Sequence, residues 1–423
     1  MALAVAWSPA GAAAPTDPSL TPDLQRITAG LILRQERFAP AAGPAVDLHF
    51  FLQPIDPAQS QRVVEATMSA LRRYAGWFGP LPSSQLTVVD ATWNSGLAGA
   101  SYPGVVVVSS RWITISRDRS LERTLIGAIA RQYWRAGASA SVSSAAAAWF
   151  EEGLALYSGV RGVHTELEGS NYATYRFFGG FVPWSLRSVL WSPNAADPRP
   201  RVRRFPEIDA ADGEGQQAAS ALQTLEQYIG WPALQQALEA YQQRLRGPGK
   251  PEALPPHADF AAVLKEQTGR DFAWFFKEAF RFSARFDYGV DRVTSEPSPE
   301  NPGEFVTTVV LRRFGDGIFA GTNEPRDTLP GGARSLPVDV RFEDGTEVRE
   351  WWDGRDAEKQ LTYTGAARAR TVSVDPDAML VLDADRTNNT RTLQSFFSAT
   401  GARLALQWVV WLQDVMLTYS ALA

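Results

Sequence analysis

At 423 residues the chain is long enough for two to four domains, each with its own hydrophobic core. Its 45% hydrophobic and 21% charged composition is that of an ordinary globular protein, and a formal net charge of only −5, spread along the chain, argues against a nucleic-acid binder, which would show a basic face. Cysteine is absent, which excludes disulfides, thiolate metal sites and a cysteine nucleophile and fits either side of a bacterial membrane.

The first stretch, "MALAVAWSPAGAAAPTDPSLTP", runs from apolar to small residues and then to a Pro/Thr/Ser spacer. It reads either as the second half of a secretory signal, with "GAAA" as cleavage stretch and the basic region upstream, or as a disordered Ala/Pro-rich tail. Residues 44–54 alternate as a strand does, and 58–77 predict an amphipathic helix with Val63, Val64, Met68, Leu71 and Tyr74 near one face. "QLTVVDA" (85–91) and "GVVVVSS" (104–110) are short apolar runs of strand type. Residues 120–135 predict a helix, 136–148 a small-residue connector, and Trp149 the start of the next helix. One or two helices are expected over 216–245, a loop over 246–257, and a helical stretch over 259–280 broken at "TGRDF".

The period then switches to two. Residues 304–313, 336–342, 346–352, 359–365 and 370–375 read as strands, with "FEDGTE" supplying an Asp-Gly hairpin turn. The C-terminal stretch 404–423 has 20 residues, about one bilayer crossing as a helix. Asp414 within it would cost roughly 3 kcal/mol at the bilayer centre. Arg403, Gln407, Asp414 and Thr418 form one polar stripe, while Trp408, Trp411, Leu412, Val415 and Tyr419 offer an apolar face. The segment is expected to lie on a membrane, to span one against a partner helix, or to pack on the protein's own body.

The histidines are His49, His164 and His257, with no pair at helical i, i+4 spacing, and each reads as an ordinary surface or strand residue. "GPGK" (247–250) lacks the rest of a phosphate loop and reads as a turn. "SVSS" (141–144) reads as a loop, and "DADRTNN" (383–389) has the acidic spacing of a calcium loop only superficially.

Several motifs in order carry a stronger signal. "GASYPGVVVVSS" (99–110) resembles a G-M-E-Y-P-G strand, "GAIARQYW" (127–134) resembles H-E-I-A-H-Q-Y-W, and "WFEEGLALYSG" (149–159) resembles a W-L-N-E-G-L-A helix start. Helical stretches 220–245 and 259–280 and the β segment around "RFEDGTEVREWWDG" (341–354) follow in the same order. Together they resemble the aminopeptidase N family of thermolysin-like zinc peptidases over about residues 45–385, without that family's large N-terminal β domain. The resemblance implies an α+β fold: a mainly helical peptidase domain with a small mixed sheet, an antiparallel β-sandwich, and a C-terminal hydrophobic helix. The implied divisions are 1–40 (signal-like or linker), 41–285, 286–385 and 386–423.

In that family two histidines one helical turn apart hold zinc, a glutamate beside the first is the general base, and a later helix gives the third ligand. The resemblance puts Gly127 and Arg131 at the histidine positions and Ala128 at the general base. Ser101 falls at the amine-binding glutamate, and Asp212 at the tyrosine that contacts the transition state. Only Glu152, at the third-ligand position, is retained, and residues 132–151 separate it from Arg131. Glycine and alanine offer no donor atoms, and arginine stays protonated. The expectation is therefore a peptidase fold without catalysis, cofactor or metal. In it Arg131 pairs with Glu152 or Glu151 in place of the ion, unless both point to solvent. Such a chain would act as a binding or structural module with a protein or peptide partner, at the extracytoplasmic face of a bacterial membrane. Its cleft would bind an extended peptide along the "GVVVVSS" edge by strand addition. The alternative is an active zinc aminopeptidase whose ligands lie elsewhere.

Overall fold

The computed structural model describes residues 28–54, 57–92, 99–109, 120–135, 145–166, 213–246, 255–280, 285–319, 336–377 and 379–393, and a few positions between 405 and 416. Five strands begin the chain: β1 (Ile32–Phe38), β2 (Val46–Leu52), β3 (Gln85–Ala91), β4 (Ser101–Tyr102) and β5 (Val105–Ser109), in sheet order β1-β2-β3-β5-β4. β1 and β2 are antiparallel, with Ile32 opposite Leu52 and Phe38 opposite Val46. β2, β3 and β5 run parallel, because helix α1 (Pro57–Phe78) carries the chain back across the sheet between β2 and β3. β3 is buried along nearly its whole length, which explains why it reads as a continuous apolar run rather than an alternating one.

One face of this sheet packs against α1 and α2 (Ser120–Arg135), burying Val63, Ala70, Leu71, Tyr74 and Phe78 of α1. The other face carries a smaller apolar cluster of Phe51, Val89, Ala91 and Val107. Helices α3 (Ala145–Glu166), α4 (Gly213–Ile229), α5 (Trp231–Arg246), α6 (Pro256–Thr268) and α7 (Ala273–Ala279) complete the helical part. α4 and α5 are separate because Gly230 takes φ +85°, and α6 ends at Gly269, φ +71°, whose N–H bonds the Lys265 carbonyl. Positive φ is where a glycine costs least, so both breaks are local decisions of the sequence.

Seven strands follow: β6 (Tyr288–Pro297), β7 (Phe305–Arg313), β8 (Leu336–Phe342), β9 (Glu347–Trp352), β10 (Glu358–Gly365), β11 (Ala369–Val374) and β12 (Thr390–Thr392). They form two antiparallel sheets, β10-β7-β6 and β12-β11-β8-β9. The sheets pack on one another through Phe342 against Tyr363, ring centroids 6.0 Å apart, and Tyr288 against Trp352 at 5.2 Å. The β8–β9 hairpin turns at Asp344-Gly345, where Asp344 Oδ1 accepts the Thr346 N–H at 2.9 Å. Phe319 inserts between Tyr228 and Phe275, and Val381 N–H bonds Thr224 Oγ1 at 3.0 Å, so one apolar core runs through helices and sandwich.

Four expectations are corrected. Ile32–Phe38, assigned above to a leader or linker ending at residue 40, is the sheet's edge strand. Of its side chains only Phe38 is buried, which leaves a weak apolar signature. Thr390–Thr392, past the expected end of the sandwich at 385, pairs with β11. α3 begins at Ala145, inside the stretch read as connector. And β5 is not an edge: β4 pairs on its outer side, Ser101 opposite Val106 and Tyr102 opposite Val105.

Among the described residues no helix is long and apolar enough to cross a membrane. Most of 404–423 lies outside them, Val415 and Tyr419 included. Trp408, Trp411 and Leu412 are exposed, with the two indoles in edge contact at 5.4 Å, while Gln413 is buried.

Candidate functional site

The site is the seam where α2 crosses α3. Its geometry starts from glycines. A Cβ built at Gly159 of α3 would stand 3.2 Å from the Gly127 Cα of α2, and one at Gly162 would stand 2.6 Å from the Tyr74 hydroxyl. Each glycine inside a helix costs about 1 kcal/mol relative to alanine. Here that cost is offset by close backbone approach. On the opposite side Gly153 lies against Ala218 of α4, where an added Cβ would fall 2.2 Å from the alanine methyl.

Polar contacts then fix the register. The Tyr74 hydroxyl lies 3.1 Å from the Ile126 carbonyl of α2 and 3.1 Å from the Ser158 carbonyl of α3. Complete burial pushes that hydroxyl well above the ordinary phenol range, so it stays a donor. Trp134 Nε1 donates to Ser158 Oγ at 2.9 Å. With the helices held so, Arg131 meets Glu152, Nε donating to Oε1 at 3.1 Å. Glu152 is 8% exposed, and its aliphatic stem lies on Gly215 at the start of α4.

At Gly127, one turn before Arg131, an added Cβ would meet nothing within 4 Å among the described residues. Ala128 is fully buried. Ser101 sits on β4, donating from Oγ to the Ala128 carbonyl at 3.2 Å. The residue that sequence reasoning passed over is Gln132. Its Nε2 lies 2.6 Å from Ser101 Oγ, 2.7 Å from the Tyr102 carbonyl and 3.2 Å from that of Val105, while its Oε1 accepts the Gly104 N–H at 2.9 Å. One amide thus staples the β4–β5 turn to α2 and holds the edge strand beside the seam. Its trace in the sequence is the matched Gln of "GAIARQYW", directly after Arg131.

The structure therefore brings Gly127, Ala128, Arg131, Glu152 and Ser101 to one seam, while Asp212, 141–144 and 247–250 lie outside the described residues. The histidines are elsewhere or not described. His49 on β2 has Nδ1 2.9 Å from Gln85 Nε2. His257 on α6 packs among Trp149 and Phe280, where burial lowers its pKa. The His164 side chain is outside the described residues. Among the described residues no three His, Cys, Asp or Glu side chains are grouped to hold a metal ion. The "DADRTNN" loop is occupied by its own bonds: Asp383 accepts from Asn389 Nδ2 at 2.9 Å and from the Asp385 N–H at 3.2 Å.

No family model and no curated protein matches this sequence. Among solved structures the chain is similar to Legionella pneumophila aminopeptidase A in complex with aspartic acid, at 14% identity and TM-score 0.50, covering 84% of this chain and 38% of that one. It is also similar to a mutant M1 zinc metallopeptidase from Deinococcus radiodurans, at 18% identity and TM-score 0.41, covering 60% of this chain and 52% of that one. The likeness to the Legionella structure defines the class: a peptidase-like fold, similar to that of an aminopeptidase. At such identities the likeness is one of fold, and the chain spans 38% of the Legionella protein's length.

Proposed function

We propose that this chain is a peptidase-like module that binds peptide or protein segments without hydrolysing them. The observation that carries the reading is the Arg131–Glu152 ion pair, formed by two residues that the sequence resemblance aligns with zinc-ligand positions. The residues present do not suit that metal. Gly127 offers no donor atom, Arg131 presents a permanently charged guanidinium, and Glu152 alone is a single carboxylate. A cation fixed to the chain neutralises the buried glutamate where a free ion otherwise would, and it supplies neither an activated water nor a Lewis acid. The β4 edge, pinned by Gln132, supports strand addition as the binding mode, in place of the β5 edge expected from sequence.

The module's setting is proposed as the extracytoplasmic face of a membrane, with the exposed Trp408, Trp411 and Leu412 as contact surface for lipid or a partner. Elemental analysis of the purified chain, with a chromogenic amino-acid amide assay, tests the reading. The expected outcome is sub-stoichiometric zinc and no turnover; one bound zinc per chain with turnover would restore the aminopeptidase alternative. Deleting 392–423 tests the setting: a protein that stays at the membrane without it removes that segment from consideration.

A further inference from the structure

We infer that the seam recognises a carboxylate, and that Arg131 is the residue that holds it. This deepens the binding-module reading and rests on it. Arg131 reaches Glu152 through Nε, not through the end of its fork. Among the described residues Nη1 and Nη2 meet no acceptor, and the side chain keeps 21% of its surface exposed. A guanidinium has five donors in one plane, and a parallel pair across its end matches the two oxygens of a carboxylate. The Glu152 contact fixes that plane in advance, so less side-chain freedom is lost when a ligand arrives. One turn earlier, a Cβ built at Gly127 would meet nothing within 4 Å among the described residues. The ligand class is a peptide bearing a carboxylate, at its C-terminus or on an acidic side chain.

Glu152 also sets the strength of the interaction. Its negative charge lies 3.1 Å from Arg131 Nε and opposes a second anion on the same guanidinium. Removing that charge while keeping the hydrogen bond should tighten anion binding, an effect that a purely structural ion pair would not show.

The experiment is calorimetric titration of the full chain with three probes: acetyl-trialanine as free acid, the same peptide as its amide, and an acetylated tripeptide amide with a central aspartate. The free acid should bind roughly tenfold tighter than the amide, as a charge-assisted bidentate contact would give. That preference should vanish in Arg131→Gln, shrink in Arg131→Lys, which keeps charge but loses the fork, and widen in Glu152→Gln. The aspartate probe decides the source: binding as tight as the free acid admits side chains, and binding as weak as the amide restricts recognition to C-termini, with Arg131 supported either way. Equal binding of acid and amide to the unaltered chain, or an acid preference that survives Arg131→Gln, overturns the inference and leaves the module reading intact. Zinc-dependent cleavage of the probes overturns the module reading itself.

Discussion

The Arg131–Glu152 ion pair near the start of α3 and the Arg161–Glu226 pair near its end differ in enclosure by partners rather than by solvent. Side-chain exposures are close, 21% and 10% for the first pair and 23% and 15% for the second. Yet Arg161 lies over the Trp231 ring at 3.6 Å, and Glu226 also accepts the Tyr157 hydroxyl at 2.5 Å. Burial and the neighbouring carboxylate hold that hydroxyl far above its usual pKa, so it remains a donor. The second pair is a clamp between α3 and α4. The first leaves the end of its guanidinium fork without an acceptor among the described residues. The lesson is that an ion pair's role follows from what covers the remaining donors, which burial alone does not report.

The largest expected effect breaks the clamp. Glu226→Ala strips Arg161 and Tyr157 of their shared carboxylate and should cost about 3–5 kcal/mol in urea unfolding, as loss of one member of a buried pair does. Glu152→Gln keeps an acceptor for Arg131 and should cost only about 1 kcal/mol. Equal losses at the two positions would erase the distinction drawn here.

The glycines sharpen the comparison at the next level. Gly153→Ala forces a methyl to 2.2 Å from the Ala218 methyl, so α3 and α4 must separate. A loss of about 2–3 kcal/mol in the unfolding midpoint is expected from such overpacking.

Asp383 shows what a buried carboxylate does when held mainly by amides. Burial, with Asp287 adding to it, raises its pKa from 3.8 to about 7. Between those values the folded protein binds more protons than the unfolded chain. Stability is therefore fullest below the lower value and falls as pH rises toward the upper one. Unfolding free energy should drop by on the order of 2–3 kcal/mol from about pH 5 to about pH 8. Asp287, also raised by burial, acts in the same direction. Asp383→Asn should flatten that slope, since Asn389 has an Oδ1 without a partner and can turn its amide to match. An unchanged slope would mean the proton is bound elsewhere.

The smallest effect falls at the open position. Gly127→Ala meets no atom of the described residues within 4 Å and removes a glycine from a helix interior, so it should stabilise by about 0.5–1 kcal/mol in thermal unfolding. Destabilisation there would show that the space in front of Gly127 is filled.

The α2 helix was legible to the residue at Ser120–Arg135, because its 3.6-residue period is a local property of the chain. So were the break at Gly269, inside "TGRDF", and the hairpin at Asp344-Gly345, each set by one residue's backbone freedom, whereas the sequence left open whether 216–245 was one helix or two, and the structure divides it at Gly230. The sequence also singled out Arg131 and Glu152, through the types of residue absent around them. What it could not show was which atoms meet across elements. The four-way grip of Gln132, the glycines that let α2 and α3 touch, and the edge position of β4 over β5 depend on distances between residues tens of positions apart. Nor could it show that Arg131 would engage Glu152 through Nε and keep its fork free. A side chain's type follows from the chain, but its direction is settled only when neighbouring backbones have packed and excluded the other rotamers.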